Sequence, residues 1–348
     1  MRWLIRQQFK SKDPEIREET LKKLGVNASV KDIRLFAEAL LDENMDVRRA
    51  ATRAIEMIPP SIAPQCVERL LPLLKDKNFT LRKGSALAMG SLGWTPETPE
   101  HQSLFQIALG NYDYVPDEAA AVEPLLDALK IGSLEVQVGA ARSLEQLQKK
   151  VQDPRILEAL LVALKSSEAN LRGAAASALG NCADERRIPP LLKALKDKVP
   201  LVRVAATEAI GKTGNADYLK HLSPLLEDEN FEARVAAVME ITRINSPETL
   251  DLIISALNDR DCDVRKCAIE SLGKLRDPRS VGALISMLID SESVIRHTSA
   301  NVLQLLDCDW RTSQEAQEAV PRLEAALNDS EYWIRESAAK ALSRIRNA

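Results

Sequence analysis

The sequence predicts an all-α stack of about ten helical hairpins, a solenoid, on three observations. Arg172, Arg203, Arg234, Arg265 and Arg296 lie 31 residues apart, and Arg17 to Arg48 repeats the interval. Each of these arginines follows an apolar residue and precedes, three positions on, Ala, Ser or Thr. Apolar residues make up 45% of the chain but aromatics only 4%, so the apolar content is mostly Leu, Ala, Ile and Val, which suits closely packed helices. A fixed internal period near thirty residues marks similar units added side by side, each contacting its neighbours. One array spanning residues 1–348 is therefore expected, rather than two or three ordinary domains.

Counting from the arginine position gives units centred on Arg17, Arg48, Arg82, Gln137, Arg172, Arg203, Arg234, Arg265, Arg296 and Arg335. Upstream, apolar residues recur at offsets −12, −11 and −8, as in Leu191, Leu192 and Leu195, which places them on one face of a first helix, A. Downstream, offsets −1, +3 and +7 (Val202, Ala206, Ile210) define a second helix, B. Small residues at +3 let successive B helices approach closely. Gly at +8 (Gly25, Gly90, Gly180, Gly211, Gly273) is expected to stop helix B in the left-handed conformation. Asp153-Pro154, Ser246-Pro247 and Asp277-Pro278 are expected to open A helices as a cap followed by proline.

Asp precedes the arginine by six residues in seven units: Asp42, Asp76, Asp197, Asp228, Asp259, Asp290 and Asp329. It falls in the A–B turn, where a carboxylate accepts free N–H groups. The matching arginines (Arg48, Arg82, Arg203, Arg234, Arg265, Arg296, Arg335) are placed to fork onto the Asp of their own or an adjacent unit. So many evenly spaced ion pairs read as a structural ladder rather than catalytic groups.

The frame L-L-x-x-L…D-x-x-x-x-V-R-x-x-A-A-x-x-A-L-G, clear from Leu191 to Gly211, resembles the HEAT-repeat superfamily, in its short 31-residue form, the phycobilisome-lyase HEAT-like repeats. The resemblance covers about residues 13–346 and implies a right-handed α-α superhelix. It also implies a range of roles, since family members serve as chromophore lyases, factors in phycobilisome turnover, protein adaptors and iron-dependent hydroxylases. The hydroxylases hold iron with His-Glu pairs. Here His101, His221 and His297 are followed by Gln, Leu and Thr, so that ligand set is missing and no metal or cofactor is expected.

The period breaks between Gly90 and Ala119, where an extra helix is expected within residues 93–118. Thr98-Pro99-Glu100 is a helix start, Leu104, Phe105, Ala108 and Leu109 supply an apolar face, and Gly110-Asn111 ends it. Trp94, Tyr112 and Tyr114 make this insertion either an added helix packed on the stack or a docking element. The fourth unit has Ile131 and Gln137 where the ladder residues belong. At the ends, Trp3, Leu4, Ile5 and Phe9, and Trp310, Tyr332 and Trp333, are expected to cap the outermost units.

B-helix offsets +1, +4 and +5 are expected to point outward on a concave face: Val204, Thr207 and Glu208, then Val235, Val238 and Met239, then Lys266, Ile269 and Glu270. Apolar residues on such a face suit partner contact. Net charge is −4, with Lys+Arg 47 against Asp+Glu 51, which argues against a nucleic-acid partner. Five cysteines, odd in number and without C-x-x-C spacing, point to small core residues in a reducing, cytoplasmic setting. No phosphate loop, dinucleotide fingerprint or nucleophile elbow occurs. The expectation is thus a non-catalytic scaffold or adaptor gripping a protein partner, with a phycobiliprotein chromophore lyase or lyase-associated factor as the alternative implied by the resemblance.

Overall fold

The computed structural model describes residues 2–76, 78–111, 118–151, 153–306 and 310–347, and its described elements are all helical. The chain divides into two compact units, residues 1–178 and 179–348.

In the first unit, helix Arg2–Phe9 precedes Pro14–Val26. Three hairpins follow: Ile33–Ala39 with Met45–Glu56, then Ala63–Leu70 (continued as a 3-10 turn, Leu71–Lys75) with Phe79–Ser91, then Glu118–Ile131 with Leu134–Leu147. Pro154–Ala163 pairs in sequence with Ala169–Leu179, at whose last residue the second unit begins. In that unit, Ile188–Ala194 precedes Pro200–Gly211. Leu219–Leu222 precedes Phe231–Ile244, and Thr249–Ser255 precedes Cys262–Leu275. Val281–Ser286 then leads to Ser293–Leu305, and Gln314–Ala326 to Tyr332–Arg346. Three of these A helices tighten into 3-10 turns before the A–B turn, at Ser223–Glu227, Ala256–Asn258 and Met287–Ile289.

Helix starts follow the local chemistry. Asn44, Asn78, Asn230 and Asp261 cap B helices by accepting N–H groups two or three residues on. Asp153 caps Pro154–Ala163 as expected, and Asp277 caps a 3-10 turn. Ser246 does not cap. Its own N–H donates to Thr249 Oγ1 at 2.9 Å, and the helix starts at Thr249.

B helices pack side by side in chain order: Pro200–Gly211, Phe231–Ile244, Cys262–Leu275 and Ser293–Leu305 in the second unit, and Pro14–Val26, Met45–Glu56 and Phe79–Ser91 in the first. The small +3 residues sit in these seams, and Ala51, Ala206, Ala237, Ala268 and Ser299 are fully buried. Ala206→Leu is expected to cost about 1–3 kcal/mol by overpacking, whereas Glu208→Leu, at an exposed site, should stay within about 0.5 kcal/mol. Equal urea midpoints for the two variants would refute this assignment of faces.

The +8 glycines are explained differently from the sequence expectation. Among the described residues the left-handed ones are Gly93, Gly110, Gly214, Asn245 and Arg276, none of them at +8. Three +8 glycines instead make room for the +6 residue of the next repeat. A Cβ on Gly25 would meet Ala54 at 3.1 Å, one on Gly273 would meet Val302 at 3.0 Å, and one on Gly211 would overlap Glu240 Cβ at 2.4 Å. Close approach, not helix termination, selects glycine at these three positions.

The insertion is a built-in helix. Pro99–Leu109 is capped by Thr98, whose Oγ1 accepts the His101 N–H at 3.2 Å, and ends on Gly110 at φ 89°. It packs between Phe79–Ser91 and Glu118–Ile131, burying Leu104 and Ala108. Of the expected end caps, Ile5 and Phe9 pack on the first unit's core and Trp310 is buried. Trp333 is 60% exposed, stacked edge-on against Tyr332 at 5.4 Å, so this pair does not cap.

Candidate partner-binding surfaces and the ladder behind them

The ladder resolves into a two-sided fork. Arg234 Nη1 donates to the carbonyls of Asp228 and Glu229, in its own A–B turn, at 2.8 and 3.3 Å. Its Nε and Nη2 grip the Asp259 carboxylate of the next turn at 2.7 and 2.9 Å. The same geometry joins Arg17 to Asp42, Arg203 to Asp228 and Arg265 to Asp290, each partner 25 residues on. The Asp is therefore the next repeat's, not the arginine's own. Its remaining bond goes to the N–H two residues later, that of the N-cap residue itself, as in Asp228 Oδ1 to Asn230 N at 2.9 Å.

Electrostatics follow from this. Burial pushes the Asp228 carboxyl up, but the Arg203 fork and the Asn230 N–H outweigh it and hold it below its ordinary value. Arg17 and Arg203 are raised, first by their Asp partners. The Asp228 contribution is present above the ordinary carboxylate range and is lost as pH falls through its lowered value.

Where the period stretches after Arg48 and Arg296, and at Arg335 of the last repeat, only the own-turn half of the fork is seen among the described residues. Arg48, Arg296 and Arg335 keep the bonds to their own turn carbonyls at 2.7–2.9 Å. Arg82 donates to the Asp76 carbonyl at 2.6 Å. Gln137 substitutes with a bond from Nε2 to the Leu129 carbonyl at 3.0 Å.

The expected docking residues separate by offset. At +5, Glu208, Met239 and Glu270 are exposed, Met239 to 47%. At +1, Val204, Val235 and Lys266 are half-buried. At +4, Val238, with Thr207 and Ile269, is fully buried and cannot touch a partner. A step of four from the inward-facing arginine position returns to the seam between B helices, whereas +1 and +5 lie together on the outer face. Lys266 and Glu270 pair loosely across one turn at 3.9 Å. Sequence reading passed over Leu201, Phe231 and Val294, exposed apolar residues at the starts of B helices. Their recurrence two or three positions before the arginine was the available signal.

Trp94 belongs to a second surface. Its ring meets Phe105 edge-on at 5.5 Å and His101 at 6.1 Å. Beside it, Ile55, Ile58, Val67 and Leu71 line a groove of about 650 Å³ whose acidic groups are Glu56, Glu68 and Glu97. Trp94 thus packs on the added helix and lines a groove as well. Tyr112 and Tyr114 lie outside the described residues.

No nucleophile stands out among the described cysteines. Burial pushes the thiols of Cys66 and Cys267 up, and that of Cys182 to about 11, the opposite of what an attacking thiolate needs. Asp261, Cys262 and Asp263 bring three possible ligand atoms within 4.8 Å, but Asp261 is already engaged as a helix cap.

A family model described as HEAT repeats matches residues 33–121, 157–234 and 219–304, more than half of the chain. The chain belongs to the HEAT-repeat family. No curated relative matches it. Among solved structures it is similar to YibA from Escherichia coli, 22% identical over 82% of this chain and 96% of that one, with a TM-score of 0.45. It is also similar to an engineered protein, 19% identical over 98% of each chain, TM-score 0.44. A third similarity is to the complex of CpcE and CpcF of phycocyanin lyase from a Nostoc species, 19% identical over 83% of this chain and 94% of that one, TM-score 0.39.

Proposed function

We propose that this chain is a non-catalytic scaffold that binds a partner protein across the outer face of its B helices. The observation that carries the reading is the row formed by Val204 and Glu208, Val235 and Met239, and Lys266 and Glu270 on three successive B helices. Its middle is apolar, and each flank carries charge through Glu208 on one side and Lys266 and Glu270 on the other, the arrangement of an interface core and rim. Met adapts to irregular partner surfaces, and the long side chains of Lys266 and Glu270 need little rearrangement to pair across an interface. Family membership supports the reading, because stacked helical repeats offer extended surfaces of this kind. No described helix is long and apolar enough to cross a membrane.

The test is affinity capture from native cells with wild type and Met239→Asp. Loss of a co-purifying protein with the variant, at an unchanged melting curve, is the expected outcome; a central anchor of this type contributes about 2 kcal/mol or more. Identical capture by both proteins would exclude this face. Bilin transfer to an apo-phycobiliprotein, seen as a visible absorbance change, would replace the scaffold reading with a lyase.

A further inference from the structure

Arg296 is a ladder arginine with no carboxylate partner among the described residues. Arg17, Arg203, Arg234 and Arg265 each hold an Asp 25 residues on, but that position from Arg296 is Pro321, inside helix Gln314–Ala326. The next arginine centre lies 39 residues away instead of 31, so the last hairpin's turn, with Asp329, has moved out of register. Arg296 is nonetheless only 8% exposed. Its Nη1 is used on the carbonyls of Asp290 and Ser291 at 2.7 and 2.8 Å, while Nε and Nη2, the edge that grips carboxylate in the sister repeats, have no acceptor among the described residues.

That arginine lines a cleft of about 210 Å³ with His297, Lys340 and Arg344. The cleft lies between Ser293–Leu305 and Tyr332–Arg346, and no described carboxylate lines it. Glu336, the nearest along the helix, is paired with Lys340 at 2.7 Å and lies outside the lining. A largely buried arginine whose forked edge has no acceptor among the described residues, beside Lys340, Arg344 and an imidazole, is an unfilled half of a charge pair.

We propose that this cleft binds an oxyanion with two oxygens on one centre, a carboxylate or a phosphate, seated on Arg296 where the sister repeats hold Asp. Lys340 and Arg344 close over it, with the His297 ring beside them. Two sources offer this chemistry: a small free anion, or an Asp or Glu side chain carried by a bound polypeptide. The site is distinct from the B-helix row and does not depend on it.

The test titrates the full chain with inorganic phosphate and, separately, with a short Glu-rich peptide, by calorimetry at fixed ionic strength. Arg344→Gln and Lys340→Gln alter exposed residues and should leave the fold intact. Lys22→Gln, in the other unit, controls for net charge. Saturable binding that weakens about tenfold in Arg344→Gln and is unchanged in Lys22→Gln is the expected result. Tighter binding of the peptide assigns the site to a polypeptide carboxylate, and binding of phosphate alone assigns it to a small anion. Absence of binding, or affinity equal in wild type and Arg344→Gln, overturns the proposal.

Discussion

Asp259→Ala is expected to lower the unfolding free energy of the second unit by about 3–5 kcal/mol. The Arg234 and Asp259 side chains are 4% and 8% exposed, so truncation strands a buried guanidinium. It also removes the bond to the Asp261 N–H at 2.8 Å, which sets the turn before helix Cys262–Leu275. The cost is that of breaking a pair, not the worth of the pair. Replacing both partners, Arg234→Met with Asp259→Leu, should therefore recover much of the loss. An exposed pair offers the contrast: Glu270→Ala, opposite Lys266, should cost less than about 0.5 kcal/mol. Chemical denaturation of the three variants checks the ranking, and a small effect of Asp259→Ala would mean the ladder is decoration.

Glu240→Gln is expected to stabilise the protein at pH 8 and to leave it unchanged at pH 4. Glu240 occupies offset +6, where five of the ten repeats carry Ala, and is 3% exposed against Gly211. Its Oε2 has no hydrogen bond, and Arg243 Nε stands 3.3 Å away. Burial pushes the carboxyl up from its ordinary 4.5 to about 7, with Arg243 opposing. Since the folded state holds this proton more tightly, stability falls as pH rises from about 4.5 to 7. The full penalty, on the order of 3 kcal/mol at roughly 1.4 kcal/mol per pH unit, applies above about 7. The amide cannot ionise, so the variant's melting temperature should vary less over this window. Parallel pH profiles for the two proteins would show that Glu240 finds a compensating partner.

Most of the fold was legible because packing and period are the same fact in a repeat protein. The apolar offsets and the +3 residues named the buried faces, and Thr98 and Gly110 bracketed the inserted helix. The ladder was legible only as two columns: nothing in the order of residues says that Arg234 reaches forward to Asp259 rather than back to Asp228. Val238 was misplaced because one residue of offset, about 100° of rotation, separates the seam from the outer face. The +8 glycines were misread because a glycine's reason is the atom beside it, and Glu240 beside Gly211 lies 29 positions along the chain. Candidate partner sites were least legible, since the Arg296 cleft exists through what the register omits, and exposed residues obey no packing period.

The forked bonds have a consequence for how the chain acquires its structure. Each complete one ties residues only 25 apart, so it can form once a single further hairpin has left the ribosome. Arg203 can close on Asp228 before Asp259 has been synthesised. Contacts this local favour rapid, stepwise growth from whichever hairpin condenses first. A ribosome-stalled chain ending some way beyond Asp259 should already protect the amides of residues 200–244 from exchange.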